Sequence, residues 1–258
     1  MLLIISPAKK LDFSQVEIKN NLSKPIFHKE ASVLANVASN LSKSELGQLM
    51  SISEKLAELN FNRFQNFQTN PDELSSKAAA FAFNGDTYNG LNINELSELD
   101  LEFSQKHLRI LSGLYGLLRP LDIIQPYRLE MGSQLKNKKG DNLYHYWSDT
   151  VSKHINLDIK NFKNQKIINL ASLEYSKVIN NKIVNADIVN PQFLEEKNGN
   201  LKNISFFSKK ARGSMARFII KNKILDQSEI KNFDYDRYEF NSSLSSELKP
   251  VFTRKSIS

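Results

Sequence analysis

The chain of 258 residues contains no cysteine. This excludes disulfide bonds, thiolate metal sites and a cysteine nucleophile. Long apolar runs are also missing, because no stretch approaches the roughly 18 residues that a membrane-spanning helix needs. The first seven residues, MLLIISP, form too short an apolar run for a signal peptide and have no leading basic region. These absences predict a cytoplasmic protein in a reducing compartment, with no membrane partner.

Several common catalytic motifs are missing as well. The sequence has no phosphate-binding P-loop, no Gly-x-Gly-x-x-Gly fingerprint, no His-Glu-x-x-His and no nucleophile elbow. Its four histidines, His28, His107, His145 and His154, lack the spacing of metal ligands. We therefore expect no metal site and no cofactor, and we assign no catalytic residue.

The periodicity of apolar residues predicts a single domain, 1–258, of mixed α/β or α+β class, and leaves open a helical sub-lobe at about 27–112. The spacing predicts helices at 27–41, 44–50, 54–67, 94–111 and 209–224, and a helix start at 70–73. Strands are predicted at 2–5 and 166–170, near 238–240 and 251–253, and in a hairpin that turns at 197–200.

The charge is basic and partly clustered. The net charge is +7, and residues 197–225 contain eight bases and no acid. Such a run indicates a polyanion partner, although lysines scattered for solubility would give the same net charge. In the predicted helix 209–224, Lys210, Arg217 and Lys221 share one face, and Lys209, Arg212 and Gly213 lie at its start. A basic helix start can bind an anion; a solvated charged face is the alternative.

Arginine is rare and unevenly placed. Of 35 bases only eight are arginine, and five of those lie in residues 108–132 (Arg109, Arg119, Arg128) or in the later helix (Arg212, Arg217). The planar guanidinium binds phosphate and carboxylate in a bidentate manner, so the pattern indicates either phosphate contacts or buried ion pairs.

Residues 49–57 resemble the hairpin of helix-hairpin-helix DNA-binding motifs, in which backbone N–H groups hold a phosphate. Ser51 and Ser53 stand where that motif has glycines, and Lys55 adds a base. Serine resists the positive φ that glycine adopts, so an ordinary corner between two helices is the alternative. The apolar positions of the motif match at Leu49, Ile52 and Ala57.

The exit of the first strand carries Lys9 and Lys10, which are candidate phosphate contacts. Together with the polar loops 84–89 and 171–174, this exit could instead line the pocket of an enzyme that acts on a nucleotide or another phosphorylated small molecule. Asp86 or Glu174 would then act as acid or base. A deep pocket where the three loops converge would favour the enzyme, and an open basic groove would favour DNA.

Five segments in order, 5–9, 83–91, 107–132, 169–175 and 208–218, are similar to the YaaA family of bacterial peroxide-stress proteins. The resemblance covers essentially the whole chain. It implies a cytosolic protein that limits peroxide damage and is associated with lower free iron. It also implies an unusual mixed sheet with surrounding helices, a positively charged cleft, a helix-hairpin-helix-like element and binding to double-stranded DNA.

The leading hypothesis is therefore a DNA-binding stress protein without catalytic activity. Its contacts would carry little sequence information, because phosphates are the same in every sequence. The predicted phosphate contacts are Lys9, Lys10, Arg119, Arg128, Lys209, Lys210, Arg212 and Arg217 in the cleft, with Ser51, Ser53 and Lys55 in the hairpin.

Overall fold

The computed structural model describes residues 1–72 and 75–255, and over this part the chain forms the expected mixed class, with helices around mixed sheets. The helices are α1 (His28–Ser39), α2 (Lys43–Met50), α3 (Glu54–Gln65), α4 (Ala79–Ala82), α5 (Asp86–Leu91), α6 (Glu98–His107), α7 (Leu143–Ile159), α8 (Leu173–Ser176) and α9 (Ser205–Lys221). Short 3-10 turns span Ile93–Glu95, Gln227–Asn232 and Tyr235–Arg237.

The strands belong to two larger sheets and two small pairs. The central sheet has the order β6-β5-β1-β8-β9, and the second sheet has the order β11-β10-β13-β12. The strands are β1 (Leu2–Ile5), β2 (Lys10–Leu11), β3 (Lys77–Ala78), β4 (Phe83–Asn84), β5 (Leu108–Ser112), β6 (Gly116–Leu118), β7 (Ile123–Ile124), β8 (Lys166–Leu170), β9 (Asp187–Val189), β10 (Gln192–Lys197), β11 (Asn200–Lys202), β12 (Glu239–Phe240) and β13 (Val251–Lys255).

The central sheet fixes where a ligand could bind. β1 is buried at all four residues, as expected of a continuous apolar strand covered on both faces. It pairs in parallel with β5 and β8, β8 pairs in parallel with β9, and β6 runs antiparallel to β5. The chain passes from β1 to β5 on one side and from β8 to β9 on the other. The topological switch point therefore lies between the carboxyl ends of β1 and β8.

Helix α9 runs along this sheet from its carboxyl edge to its amino edge. Its 17 residues span about 25 Å. Just beyond its C-terminus, Leu225 and Asp226 line an open cavity with Met1, which precedes β1, and Lys166, which begins β8. Because the end of α9 lies at the amino edge, its first turns lie near the carboxyl edge, beside the switch point.

A close crossing holds α9 against α5. A side-chain carbon on Gly213 would lie 1.8 Å from the carbonyl oxygen of Thr87, and one on Gly90 would lie 2.1 Å from that of Lys210. Only glycine permits this backbone approach. Since α5 follows the loop next to β1, the crossing fixes the height of α9 relative to the strand ends.

The second sheet has its own aromatic core, where Phe193 and Phe252 stack with ring centroids 5.6 Å apart. Glu195 is buried beneath them and accepts hydrogen bonds from Arg254 and from the hydroxyl of Tyr238. The buried carboxylate of Glu195 is thus paired with the guanidinium of Arg254.

The sequence predicted many of these elements. The strands at 2–5 and 166–170, the helices that correspond to α1–α3 and the turn at 197–200 are confirmed. The helix predicted at 94–111 is wrong in its last part: α6 ends at His107 and β5 follows. The later helix begins at Ser205 rather than at 209. The predicted helix start at 70–73 falls partly on Glu73, outside the described residues, and α7 was not predicted.

All four methionines are buried. Met131 and Met215 have no exposed surface, and Met1 and Met50 are 3% and 7% exposed.

Within residues 1–72 and 75–255, no helix has the length and apolar character needed to cross a membrane.

Candidate functional site at the carboxyl edge of the central sheet

Polar side chains from three segments meet at the switch point. The backbone N–H of Ser172, after β8, donates to Oγ of Ser6, after β1, at 2.8 Å. The hydroxyl of Tyr88 in α5 donates to the carbonyl oxygen of Ser6 at 3.1 Å. The strand exits at 6–10 and 171–174 and the loop at 84–89 therefore converge, as the enzyme hypothesis requires.

The segment 128–132 lies across the same strand ends. At β5, a side-chain carbon on Gly113 would lie 2.2 Å from the carbonyl oxygen of Leu129, so the two backbones are in direct contact. Beyond β1, Glu130 forms an ion pair with Lys9. Beyond β8, the N–H of Gly132 donates to Oε1 of Glu174 at 3.3 Å. This segment thus forms one wall of the site.

Glu130 is the buried charge in this wall. Its Oε1 lies 3.0 Å from Nη2 of Arg128 and 3.3 Å from Nζ of Lys9, whereas its Oε2 is buried and has no hydrogen-bond partner among the residues that the structure describes. Burying a carboxylate oxygen without a hydrogen-bond donor costs free energy, and a donor on a bound ligand would remove that cost.

Two buried tyrosines, Tyr127 and Tyr175, lie near this carboxylate, and Tyr88 lies near both of them. Burial raises the pKa of all three phenols, and the nearby charge of Glu130 adds to the rise for Tyr127 and Tyr175. Tyr127 also shares a 2.6 Å hydrogen bond with Ser112, at the end of β5. The phenols therefore stay protonated and can donate or accept a hydrogen bond, but they do not supply a base.

Four of the five clustered arginines have carboxylate partners. Arg109 binds Asp158 through two nitrogens at 2.7 Å. Arg119 binds Asp122 at 2.8 Å and Arg128 binds Glu130. Arg217 binds Glu95 at 2.8 Å and the carbonyl oxygen of Asn92 at the same distance. All four guanidinium groups therefore serve the fold as ion-pair partners, and that of Arg109 does so in a bidentate manner.

Arg212 differs from these four. It makes no hydrogen bond or ion pair with any residue that the structure describes, although it is partly buried. Burial lowers its pKa, which indicates a guanidinium that has lost water without gaining a counter-ion. Its neighbour Lys209 is exposed, and Lys210 pairs with Asp236 at 2.9 Å.

The corner between α2 and α3 has the backbone that the hairpin motif requires at one of its two positions. Ser51 adopts the left-handed conformation, with φ of 50°, whereas Ser53 is extended. Ser51, Ser53 and Lys55 are all exposed, and the helices touch where Gly47 meets Ala57. Serine therefore does occur here at a glycine-like φ.

The structure brings some predicted contacts together and separates others. Lys9 and Arg128 meet on Glu130 at the carboxyl edge, next to Lys10, and the start of α9 with Lys209 and Arg212 lies at this edge too. Arg119 lies at the opposite edge, because it follows the antiparallel strand β6. Arg217 lies about one turn beyond Gly213 and donates to the carbonyl oxygen of Leu91, at the end of α5.

The predicted acid–base candidates lie at the site, but the sequence did not single out Glu130. Asp86 begins α5, and Glu174 contacts Gly132. The signal for Glu130 was a carboxylate two residues after Arg128 in an otherwise apolar segment. No group of three or more histidine, aspartate or glutamate side chains among the described residues is arranged to hold a metal ion.

Comparison with known proteins places the chain in a family. The family model described as peroxide stress protein YaaA matches residues 1–244. A UPF0246 protein of Idiomarina loihiensis is 47% identical over 254 residues, which is 98% of each chain. UPF0246 proteins of Colwellia psychrerythraea and Aliivibrio fischeri are 46% and 44% identical over 255 residues, with at least 98% of each chain covered. The chain therefore belongs to the YaaA family of peroxide-stress proteins.

Proposed function

We propose that this protein acts in peroxide stress by binding the phosphates of double-stranded DNA. The contacts are the start of α9 with Lys209 and Arg212, the loop with Lys9 and Lys10, and the exposed α2–α3 corner. The protein would protect the DNA that it covers. The lower free iron that the resemblance implies is treated as an indirect effect, because the sequence shows no metal-ligand spacing.

One observation carries this proposal: the partly buried guanidinium of Arg212 pairs with no carboxylate in residues 1–72 and 75–255, and it lies in a stretch of eight bases and no acid. A phosphate would supply the missing charge through charge-assisted hydrogen bonds. The paired arginines lack this need, so Arg119 and Arg217 stabilise the fold in this proposal and contribute little to affinity.

The test is binding of a labelled random-sequence duplex by the full-length protein between about 50 and 200 mM salt. We expect affinity to fall steeply with salt. Arg212→Ala should weaken binding and reduce the slope of log affinity against log salt by about 1. Arg217→Ala, on the same helix, is the matched control and should keep both. Binding that ignores salt, or equal losses in the two variants, would contradict the proposal.

An enzyme acting on a nucleotide or phosphorylated small molecule is the second candidate. The observation that favours it is the convergence of the three polar loops on Ser6. Asp86 and Glu174 are then the acid–base candidates. Its first requirement is that a small phosphorylated molecule binds at this edge, and its second is that turnover of that molecule depends on one of the two carboxylates.

A further inference from the structure

The unpaired groups of α9 form a small anion site rather than a flat charged face. Ser208 and Arg212 are four residues apart, so they lie one turn apart on one face of the helix. Ser208 is 4% exposed, and its hydroxyl, like the guanidinium of Arg212, has no partner among the described residues. Ala211 and Met215, which flank this face, are fully buried. Two adjacent polar groups thus lie beside buried apolar side chains, and neither is bonded to a residue that the structure describes.

This site is recessed. Ser208 is 4% exposed and Arg212 is partly buried, whereas the neighbouring Lys209 is exposed. An internal phosphodiester of a duplex has a nucleotide on each side and stays on the surface of the helix. A phosphomonoester is attached by a single arm and can enter a recess. Its second ionisation, with a pKa of about 6, also gives it more charge than a diester.

Glu130 provides an independent indication of a ligand at the same edge. It is 9% exposed as a residue, and its Oε2 lacks a donor. Phosphate oxygens do not satisfy an acceptor, but the hydroxyl or amino groups of a sugar or base do. At this edge Arg212 can bind an anion, and Oε2 of Glu130 can accept a hydrogen bond. A nucleotide carries both a phosphate and hydrogen-bond donors, so it fits these two groups better than an inorganic anion does.

We propose that Arg212 and Ser208 bind a terminal phosphate, a phosphomonoester carried by a nucleotide, at the carboxyl edge of the central sheet. The proposal rests on the phosphate contact of Arg212 proposed above. The nucleotide can be free or can be the phosphorylated end of a DNA strand, because both present the same group. The proposal names binding and no reaction.

The experiment is calorimetric titration of the full-length protein with two matched pairs of probes. The first pair is adenosine 5′-monophosphate and adenosine. The second pair is one short duplex with 5′-phosphates and the same duplex with 5′-hydroxyl ends. We expect the phosphorylated member to bind at least about tenfold more tightly in at least one pair, the size expected for a lost charge-assisted contact.

Arg212→Gln should remove that preference, and Arg217→Gln should retain it. If Arg212→Gln fails to fold, as judged by circular dichroism, Ser208→Ala provides the second variant and should reduce the preference. Equal binding within both pairs, or a preference that survives Arg212→Gln, would overturn the inference.

The two proposals fail separately. Duplex binding that is salt-sensitive but indifferent to the end group would leave DNA binding in place and remove the terminal-phosphate site. Binding of adenosine 5′-monophosphate without any duplex binding would do the reverse, and would identify a free nucleotide as the source of the phosphate.

Discussion

At the scale of single residues, the α5–α9 crossing gives the sharpest prediction. Gly213→Ala should cost about 3 kcal/mol or more, because the new carbon would lie 1.8 Å from the carbonyl oxygen of Thr87 and the two helices would have to separate. Urea unfolding measures this as a lower midpoint at unchanged slope.

Gly47→Ala is the matched control for this change. The new carbon would meet Ala57 at an ordinary 3.5 Å, within a helix where alanine is favoured over glycine by about 0.5–1 kcal/mol. A stable Gly213→Ala variant would mean that the crossing is looser than described.

Asp100 gives a prediction about pH. Burial raises the pKa of Asp100, but hydrogen bonds from Lys223, Ser97 and Lys221 outweigh burial and hold it well below its ordinary value. A carboxyl whose pKa is lower in the folded state stabilises the fold above its unfolded pKa of about 3.9 and loses this effect as pH falls through the folded pKa. Asp100→Asn should therefore cost about 1–3 kcal/mol near neutral pH and progressively less below about pH 4.

The measurement for Asp100→Asn is the unfolding midpoint over a pH series. Glu58→Gln removes an exposed carboxylate paired with Lys43 and serves as the control, with little change expected. A cost that stays constant into acid would show that the ion pairs are not its source.

Residue chemistry was partly predictable from the sequence. The arginine clusters indicated carboxylate or phosphate partners; four of the five arginines bind a carboxylate, and Arg109 binds its partner in a bidentate manner. The sequence could not say which partner each has, because Asp158 lies 49 residues from Arg109 and Glu95 lies 122 from Arg217. Arg212 was picked out with its neighbours for its charge, but its lack of a partner appears only in the folded chain.

At the scale of elements, the α2–α3 corner gives a prediction that separates its two serines. Ser51→Gly should stabilise the fold by about 0.5–1 kcal/mol, since φ of 50° strains serine and not glycine. Ser53→Gly should give no such gain, because Ser53 is extended and its side chain caps nothing. Thermal unfolding of both variants measures the difference. If Ser51→Gly is no more stable than Ser53→Gly, the left-handed turn is absent in solution.

The sequence did not predict the boundary between α6 and β5, because the same apolar pattern fits a helix and a strand. Residues 108–112 are all buried, and a short run of this kind can belong to a helix or to a central strand. Helix α7 was missed although Leu143, Trp147, Val151, Ile155 and Ile159 recur at every fourth position and are buried. The β-branched and polar residues of α7 have low helix propensity, and the helix forms because its buried face packs against the core.

At the scale of the whole molecule, the described core is continuous. One cluster of buried residues includes Leu34 and Leu46 of the first helices, Leu3 of the central sheet and Phe252 of the second. We therefore predict that the fluorescence of Trp147, the single tryptophan, and far-ultraviolet circular dichroism report one coincident unfolding transition. An earlier loss of helix signal would indicate that the helical sub-lobe at about 27–112 unfolds separately.

The order of the strands in the central sheet creates the candidate site. Ser6, Ser172 and Glu130 are far apart in sequence, and they meet because β1 lies between β5 and β8. The strand exit after 2–5 was predictable as a place for functional groups. The role of the segment 128–132 as a wall was not, since nothing local in the sequence places it across three strand ends.

The burial of all four methionines, in a chain without cysteine, has a consequence for a protein that works when peroxide is abundant. The side chains that peroxide attacks most readily are either missing or shielded from solvent. The folded protein therefore offers peroxide no thiol and only buried thioethers.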